Sequence, residues 1–494
     1  MSLTAPPRTA PAARAGRREW TALGVLMLPL LLVSMDVSVL YFAIPSIAAD
    51  LRPGATQQLW ILDVYGFVLA GLLVTMGALG DRVGRLKLLL FGAALFGAAS
   101  VAAAYAHGAG ALIGARALLG VAGACLMPST LALIRTLFRD PAQRAKAVTL
   151  WTTVMAGGIS LGPVVSGALL EHFWWGSVFL INLPAMALLL VLAPVLLAES
   201  RGETGGGRFD VLSALLSLGA LLPVIHGIKE LAKGGWDPVP AAGIVVGVLL
   251  GGVFVRRQAR LDHPVVDLRL FRTPAYGGSL LANLLAMAAT VGFAVFLTQY
   301  LQSVLGQSPF EAALWSLVPA AGVMVAAPLA AALARRVDRA HVMGGGFLVS
   351  AGGFGWLVTV DRATPFWVVL AGSAVYAAGL VSAMTLANEL ALGAAPPERA
   401  GAAAAVLESG SELGGALGMA VLGSVGAAVY TAAMPPSAPA AARETLGGAL
   451  EAAPSVVDAA RSAFVEAMSG AALGAAVLML LAAALSWALL RRRA

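Results

Sequence analysis

The sequence predicts an all-α membrane protein of about fourteen transmembrane helices, two six-helix bundles with two further helices inserted between them. Three observations carry that expectation. Of the 494 residues, 59% are hydrophobic and only 12% are charged, and the mean hydropathy is +0.87. Apolar runs of about 18 residues or more, each long enough to cross a bilayer, recur along the whole chain. A faint internal repeat relates the two parts of the chain to each other.

Taken in order, the spans lie at roughly 21–45, 57–79, 88–106, 110–134, 147–170, 177–198, 211–231, 239–255, 276–303, 312–334, 341–360, 364–390, 401–430 and 467–490. They divide the chain into an N-terminal tail (1–20), a first six-helix bundle (21–198) and a linker carrying two extra helices (199–275). A second bundle (276–490), including a long loop at 431–466, and a short tail (491–494) complete it. The linker opens on Gly205-Gly206-Gly207. The long loop reads as two short amphipathic helices, around Glu444–Ala452 and Ser455–Ala467, with Ser455 as an N-cap. The repeat aligns Gly77–Arg85 with Ala331–Arg339 and Gly158–Gly162 with Gly410–Gly414, at nearly the same offset. That displacement equals eight helices, which is what two six-helix halves with two helices between them require. Internal repeats of this kind build alternating-access transporters, with the substrate site near the midplane between the halves.

With the N-terminus in the cytoplasm, 25 of the 32 Lys and Arg residues fall on the cytoplasmic side. The outer loops hold six, namely Arg52, Lys229, Lys233, Arg362, Arg443 and Arg461, and Arg116 lies within a span. The asymmetry predicts that both termini are cytoplasmic. The net charge of +7 therefore reports topology and attraction to anionic lipid rather than nucleic-acid binding, and Arg491-Arg492-Arg493 reads as a stop-transfer anchor. The basic residues Arg14, Arg17 and Arg18 precede an apolar stretch too long for a signal-peptide core, so it should remain as the first helix.

Several chemistries find no support. The lone Cys125 cannot form an intrachain disulfide. His107, His172, His226, His263 and His341 lack metal-ligand spacing, so no metal is expected. No phosphate-binding glycine loop occurs, which disfavours direct ATP-driven pumping, and no nucleophile and base can be assembled into an active site. The sequence thus predicts no enzyme and no cofactor.

The informative residues are charges embedded in apolar sequence. Asp36, Asp63, Glu408 and Glu412 each lie inside a span, where an ionised carboxylate costs several kcal/mol unless it faces protein or a watery cavity. Asp36, Asp63 and Arg116 lie roughly 8–14 Å from the outer ends of their helices and could meet in one cluster. Arg116 must find an anion, backbone carbonyls or water. Glu408 and Glu412 share one face of span 13, and two like charges this close in low dielectric disfavour simultaneous ionisation. Trp60 and Tyr65 flank Asp63 and could supply an aromatic surface for a flat or quaternary cation.

Three stretches complete the pattern. Gly77-Ala-Leu-Gly-Asp-Arg-Val-Gly-Arg-Leu-Lys87 joins spans 2 and 3, with a tight turn and an Asp81, Arg82, Arg85 cluster. Leu112–Ala124 in span 4 carries Arg116, and Gly158–Gly167 in span 5 combines small residues with Pro163. In this order and on these helices they resemble the signature motifs of the major facilitator superfamily, the third being that of its antiporters. With span 1 reading Ser34-Met-Asp-Val-Ser-Val-Leu-Tyr-Phe-Ala-Ile-Pro45, the chain resembles a fourteen-spanner drug:proton antiporter of the bacterial quaternary-ammonium exporter type. Two positions depart from the pattern. Leu119 stands where a glutamine is common, and Ser166 replaces the first of two paired glycines.

The resemblance implies a proton-coupled exporter of lipophilic, cationic drugs or dyes in the bacterial cytoplasmic membrane, working as a monomer with small molecules, protons and lipid as its partners. It implies proton coupling through Asp36 with Arg116; the embedded charges themselves add Asp63, Glu408 and Glu412 to that role and point to substrate contact through Glu408, Glu412, Asp63, Trp60 and Tyr65. Gly77, Asp81, Arg82, Gly84 and Arg85 would latch the halves on the cytoplasmic side, and Gly158, Gly162, Pro163 and Gly167 would seal or flex the antiporter helix. Export of one specific natural product or siderophore by the same fold is the alternative. A non-transporting membrane sensor is a further alternative.

Overall fold

The computed structural model describes residues 15–201, 210–234, 237–261, 268–394, 400–452 and 454–490. The glycines of the linker, most of the N-terminal tail and the terminal arginines lie outside the described residues. Every regular element among the described residues is a helix, as a chain must be if each backbone polar group is to be satisfied within its own span.

The first bundle comprises α1 (Arg17–Leu51), α2 (Ala55–Val83), α3 (Arg85–Ala104), α4 (Ala109–Leu137) and α5 (Pro141–His172). Its sixth crossing is broken at Ile181 into α6 (Ser177–Leu180) and α7 (Asn182–Leu196). The inserted pair is α8 (Val211–Gly234) and α9 (Pro238–Gln258). The second bundle opens with α10 (Pro274–Gln299), which widens into a π turn at Tyr300–Val304. It continues through α11 (Pro309–Trp315), α12 (Val318–Leu333), α13 (Arg339–Val358), α14 (Phe366–Ala394) and α15 (Ala400–Ala433), then the short α16 (Ala440–Glu444) and α17 (Leu446–Ala452), and closes with α18 (Val457–Leu490). Among the described residues twelve helices are individually long and apolar enough to cross a membrane, and the bent α5 makes a thirteenth, roughly consistent with the fourteen expected; α11 and α12, interrupted at Ser316-Leu317, are each shorter. Local chemistry sets the ends. Asp140 caps α5 through the Ala142 amide, with Pro141 in the first turn, and Gly84, at φ 124°, makes the turn between α2 and α3 that a residue with Cβ would strain.

Two sequence expectations change. Ser455 does not start a separate helix: Pro454–Val456 form a single 3₁₀ turn that runs straight into α18, so the last span begins about ten residues earlier than hydropathy suggests. Lys229 is no loop residue. It lies within α8, with its side chain 0% exposed.

The bundles meet at crossings biased to one face. Gly66 of α2 faces Ala416 of α15, Gly423 faces Leu59, and Gly167 of α5 lies against Pro309 and Phe310 of α11. At the rim, Arg52 pairs with Glu451 of α17 at 3.1 Å, which closes the loop 431–466 over this face. A cavity of about 70 Å³ remains beneath that cover, lined by Gln58, Leu62, Gln299, Met419, Tyr430 and Glu444 among others. On the opposite face, where α1 begins and α18 ends, no hydrogen bond or ion pair joins the bundles among the described residues. The helix α8 packs into the seam between α2 and α15 through a shared cluster of Phe67, Ile225, Ala416 and Ala420 with Leu221, Leu413 and Leu417. At its start Asp210 accepts from the Ser213 amide and from Arg257 of α9, at 3.0 and 2.9 Å. Partial burial pushes the Asp210 carboxyl up, but hydrogen bonds from Arg257 and Ser213 outweigh it and hold it below the ordinary carboxylate range.

Candidate functional site

The embedded charges do gather near the seam, in two ion pairs rather than one cluster. Arg116 of α4, 0% exposed, donates Nη1 to Asp36 of α1 and Nε to the carbonyl of Ile61 of α2 at 3.1 Å, with Nη2 at 3.5 Å from the Leu62 carbonyl. One guanidinium therefore ties three helices of the first bundle, using the planar fork that lysine lacks. Of the partners expected for a buried arginine, an anion, backbone carbonyls or water, Arg116 has the first two. Its partner Asp36 is 6% exposed. Removing the arginine from a pair this well buried would leave the carboxylate uncompensated, at a cost of about 3–5 kcal/mol.

Asp63 turns the other way. Its side chain is 0% exposed and its two oxygens lie 2.8 Å from Lys229 Nζ. The same ammonium sits 3.9 Å from the centroid of the Trp60 ring, and the ring of His226 lies 6.2 Å from that of Trp60. Sequence reasoning missed Lys229 and His226. The signal was available in principle: an embedded acid needs a counter-ion, and Lys229 stands within one turn of apolar α8 sequence.

The aromatic pair separates as well. Trp60 and Asp63 are three residues apart and share a face of α2, whereas Tyr65 is about 200° round the helix from Asp63. Tyr65 accordingly packs into the first bundle, 1% exposed, donating its hydroxyl to the Val33 carbonyl at 3.2 Å beneath the Arg116 guanidinium, 4.8 Å from its ring. In this state it is buried and faces away from Asp63. Asp63 and Trp60 are likewise engaged, by Lys229.

Glu408 and Glu412 differ from the first-bundle acids. Both are partly buried on α15, one turn apart, and neither has a hydrogen-bond or ion-pair partner among the described residues. Neighbouring positions are spoken for: Ser411 accepts from Asn283 of α10 at 2.6 Å, and Gly410 and Gly414 back onto Leu280 and Leu284. The face left over carries the two glutamates, Glu412 about one turn and Glu408 about two turns below the Gly66–Ala416 crossing. Glu412 is within electrostatic reach of Tyr41 of α1 and of Tyr65, so it looks across the seam at the first bundle.

The remaining motif residues are structural contacts in this state. Asp81 and Arg85 pair with each other at 2.8 Å, Arg82 is exposed, and Gly77 abuts Pro128. Glu199 accepts from the Leu86 and Lys87 amides at the start of α3, at 3.0 and 3.2 Å. All of these partners belong to the first bundle or its exit. On α5 a Cβ at Gly158 would lie 2.8 Å from the Leu31 carbonyl and one at Gly162 3.1 Å from that of Met35, so these positions set how closely α1 and α5 approach. Pro163 lies just after a 40° bend in α5, as a residue that removes one helical hydrogen bond should. Ser166, in the place of a glycine, donates to the Val39 carbonyl at 2.9 Å and adds a tie between the same two helices. Leu119 is fully buried.

Paired charges inside apolar bundles, unpaired acids at the seam and two repeated halves define a membrane transporter of the alternating-access class. The Major Facilitator Superfamily profile matches residues 26–277. The chain is 42% identical over 493 residues to the multidrug efflux pump LfrA of Mycolicibacterium smegmatis, covering 97% of this chain and 98% of that one. It is 34% identical to the methyl viologen resistance protein SmvA of Salmonella typhimurium, covering 95% and 98%. A solved bacterial homologue of the human lysosomal transporter Spinster, inward-facing and unoccupied, superposes with a TM-score of 0.68 at 17% identity, over 96% of this chain and 97% of that one. The chain belongs to the major facilitator superfamily.

Proposed function

We propose that the chain is a proton-coupled drug exporter that expels lipophilic, mainly cationic compounds across the bacterial cytoplasmic membrane. The carrying observation is the contrast between the two halves. Asp36 and Asp63 are each held by a buried cation, while Glu408 and Glu412 stand at the seam with no partner among the described residues. Unpaired carboxylates at the seam between the halves bind either protons or an organic cation, and each lowers affinity for the other by the same free energy. Release of a cation and uptake of a proton at the outer side, followed by the reverse at the inner side, gives exchange. The relatives' names, multidrug efflux and methyl viologen resistance, support a drug exporter with cations among its substrates.

In this reading both termini are cytoplasmic, as the distribution of Lys and Arg requires, and the face closed by Arg52 and Glu451 is the outer one. The structure is then inward-open. Asp81 and Arg85 would join the second bundle only when the inner face closes. The boundaries 21–198, 199–275 and 276–490 divide the two moving halves from the inserted pair, and one chain suffices for transport. The chain acts as a transporter and not as an enzyme.

Proteoliposomes without ATP test this. An imposed proton gradient should drive uphill movement of ethidium, and an uncoupler should stop it. Uphill movement that survives collapse of the gradient would exclude proton antiport.

A further inference from the structure

Lys229 occupies a site built like one for an organic cation. Its ammonium lies between an acid, Asp63, with both oxygens at 2.8 Å, and the face of an indole, Trp60, at 3.9 Å. An anion beneath and an aromatic face above is the chemistry that recognises quaternary and aromatic cations. Desolvating a lysine and an aspartate together costs several kcal/mol, and an apolar pair of the same volume would brace α2 against α8 at least as well. The site is not sealed from all sides: Trp60 is only partly buried, and His226 beside it is exposed. It also sits where α8 bridges the seam between α2 and α15, so any relative movement of those helices alters it.

We propose that Lys229 is a tethered internal cation that plugs an exit-side cation subsite made by Asp63 and Trp60, and that a lipophilic organic cation takes its place when Lys229 withdraws with α8. This rests on the exporter reading for its biological use, but the subsite itself is a property of the chain. Position favours the exit side, since Asp63 lies two turns from the Arg52 end of α2 and Lys229 near the matching end of α8. The inserted hairpin is then part of the transport cycle.

Binding of tetraphenylphosphonium to the purified full-length protein tests the proposal. Lys229→Met should bind it about tenfold more tightly than wild type, and adding Asp63→Asn should abolish the gain, whereas Lys229→Arg, which keeps the plug, should match wild type. Equal affinity in wild type and Lys229→Met at equal thermal stability overturns the proposal and leaves the pair as a brace. If Lys229→Met fails to reach the membrane, the wild type decides: saturating tetraphenylphosphonium should make Lys229 reactive to a small amine-selective label, and an unlabelled Lys229 refutes the plug. Gradient-driven ethidium flux by the wild type is measured in parallel. Its absence would strike the exporter reading alone, because binding to Lys229→Met does not depend on flux.

Discussion

Arg116 reaches Asp36 on one helix and the Ile61 carbonyl on another, so the two partners of this ion pair are not equivalent. Removing the acid leaves the guanidinium on backbone carbonyls. Removing the arginine leaves a buried carboxylate alone. Asp36→Asn should therefore fold and insert normally while losing coupled export of cations and neutral compounds alike. Arg116→Met should lose about 3–5 kcal/mol of stability, read as a lower melting temperature in detergent. Equal melting temperatures for the two variants would mean that the carbonyl contacts contribute nothing.

Glu408 and Glu412 concentrate negative charge on α15, and a neutral ligand gains little from it. Glu408→Gln and Glu412→Gln should impair export of organic cations about tenfold or more, and by more than they impair export of neutral substrates. Dose-response curves at matched membrane expression measure this. Parallel loss for both substrate classes would return the pair to a general proton relay.

Among the described residues Asp81 bonds only Arg85 in the present state, so Asp81→Asn removes little from it. The variant should insert normally yet spend more time with the inner face open, if the latch forms when that face closes. Cysteine accessibility on the two faces reports the balance, and labelling identical to wild type with normal export would limit Asp81 to its turn.

Asp210 ties α8 to α9 at their shared end. Its carboxyl is held below the ordinary range, so its contribution to stability is complete above the unfolded-state value of about 3.9 and is lost as pH falls through the lower folded-state value. Asp210→Asn should cost about 0.5–1 kcal/mol at pH 7, discounted for the partly exposed Arg257. The difference from wild type should vanish in strong acid. Melting curves across the acid range test the sign: a difference that grows on acidification contradicts it.

The architecture was legible because each element carries its own signal: apolar length for the spans, small residues for the tight α1–α5 packing, a glycine turn before α3. Arg116 was legible for the same reason, since a charge inside a span announces its need for partners. The second ion pair was not, because Lys229 lies near the end of a span, where counting rules assign it to a loop, and its partner is far away in sequence at Asp63. Helical phase separates the two aromatics: Tyr65 is near Asp63 in the chain but on the other side of the helix, a distinction that proximity in sequence hides. The acids of α15 were read correctly as sharing a face, but only packing shows that Asn283, Leu280 and Leu284 occupy the other faces and leave that one free.

The position of α8 bears on how a lipophilic compound gets in. Molecules dissolved in a leaflet reach a two-bundle transporter sideways, through the crevices where the bundles abut. Along α2 and α15 that crevice is roofed by Leu221, Ile225 and their neighbours, so acyl chains and dissolved solutes meet protein there. On the other flank α5 meets α11 with no third helix laid over the join among the described residues. The cover over the joins between the bundles is thus one-sided: α8 shields the α2–α15 join from acyl chains, and the α5–α11 join is left to the direct packing of Gly167 on Pro309 and Phe310.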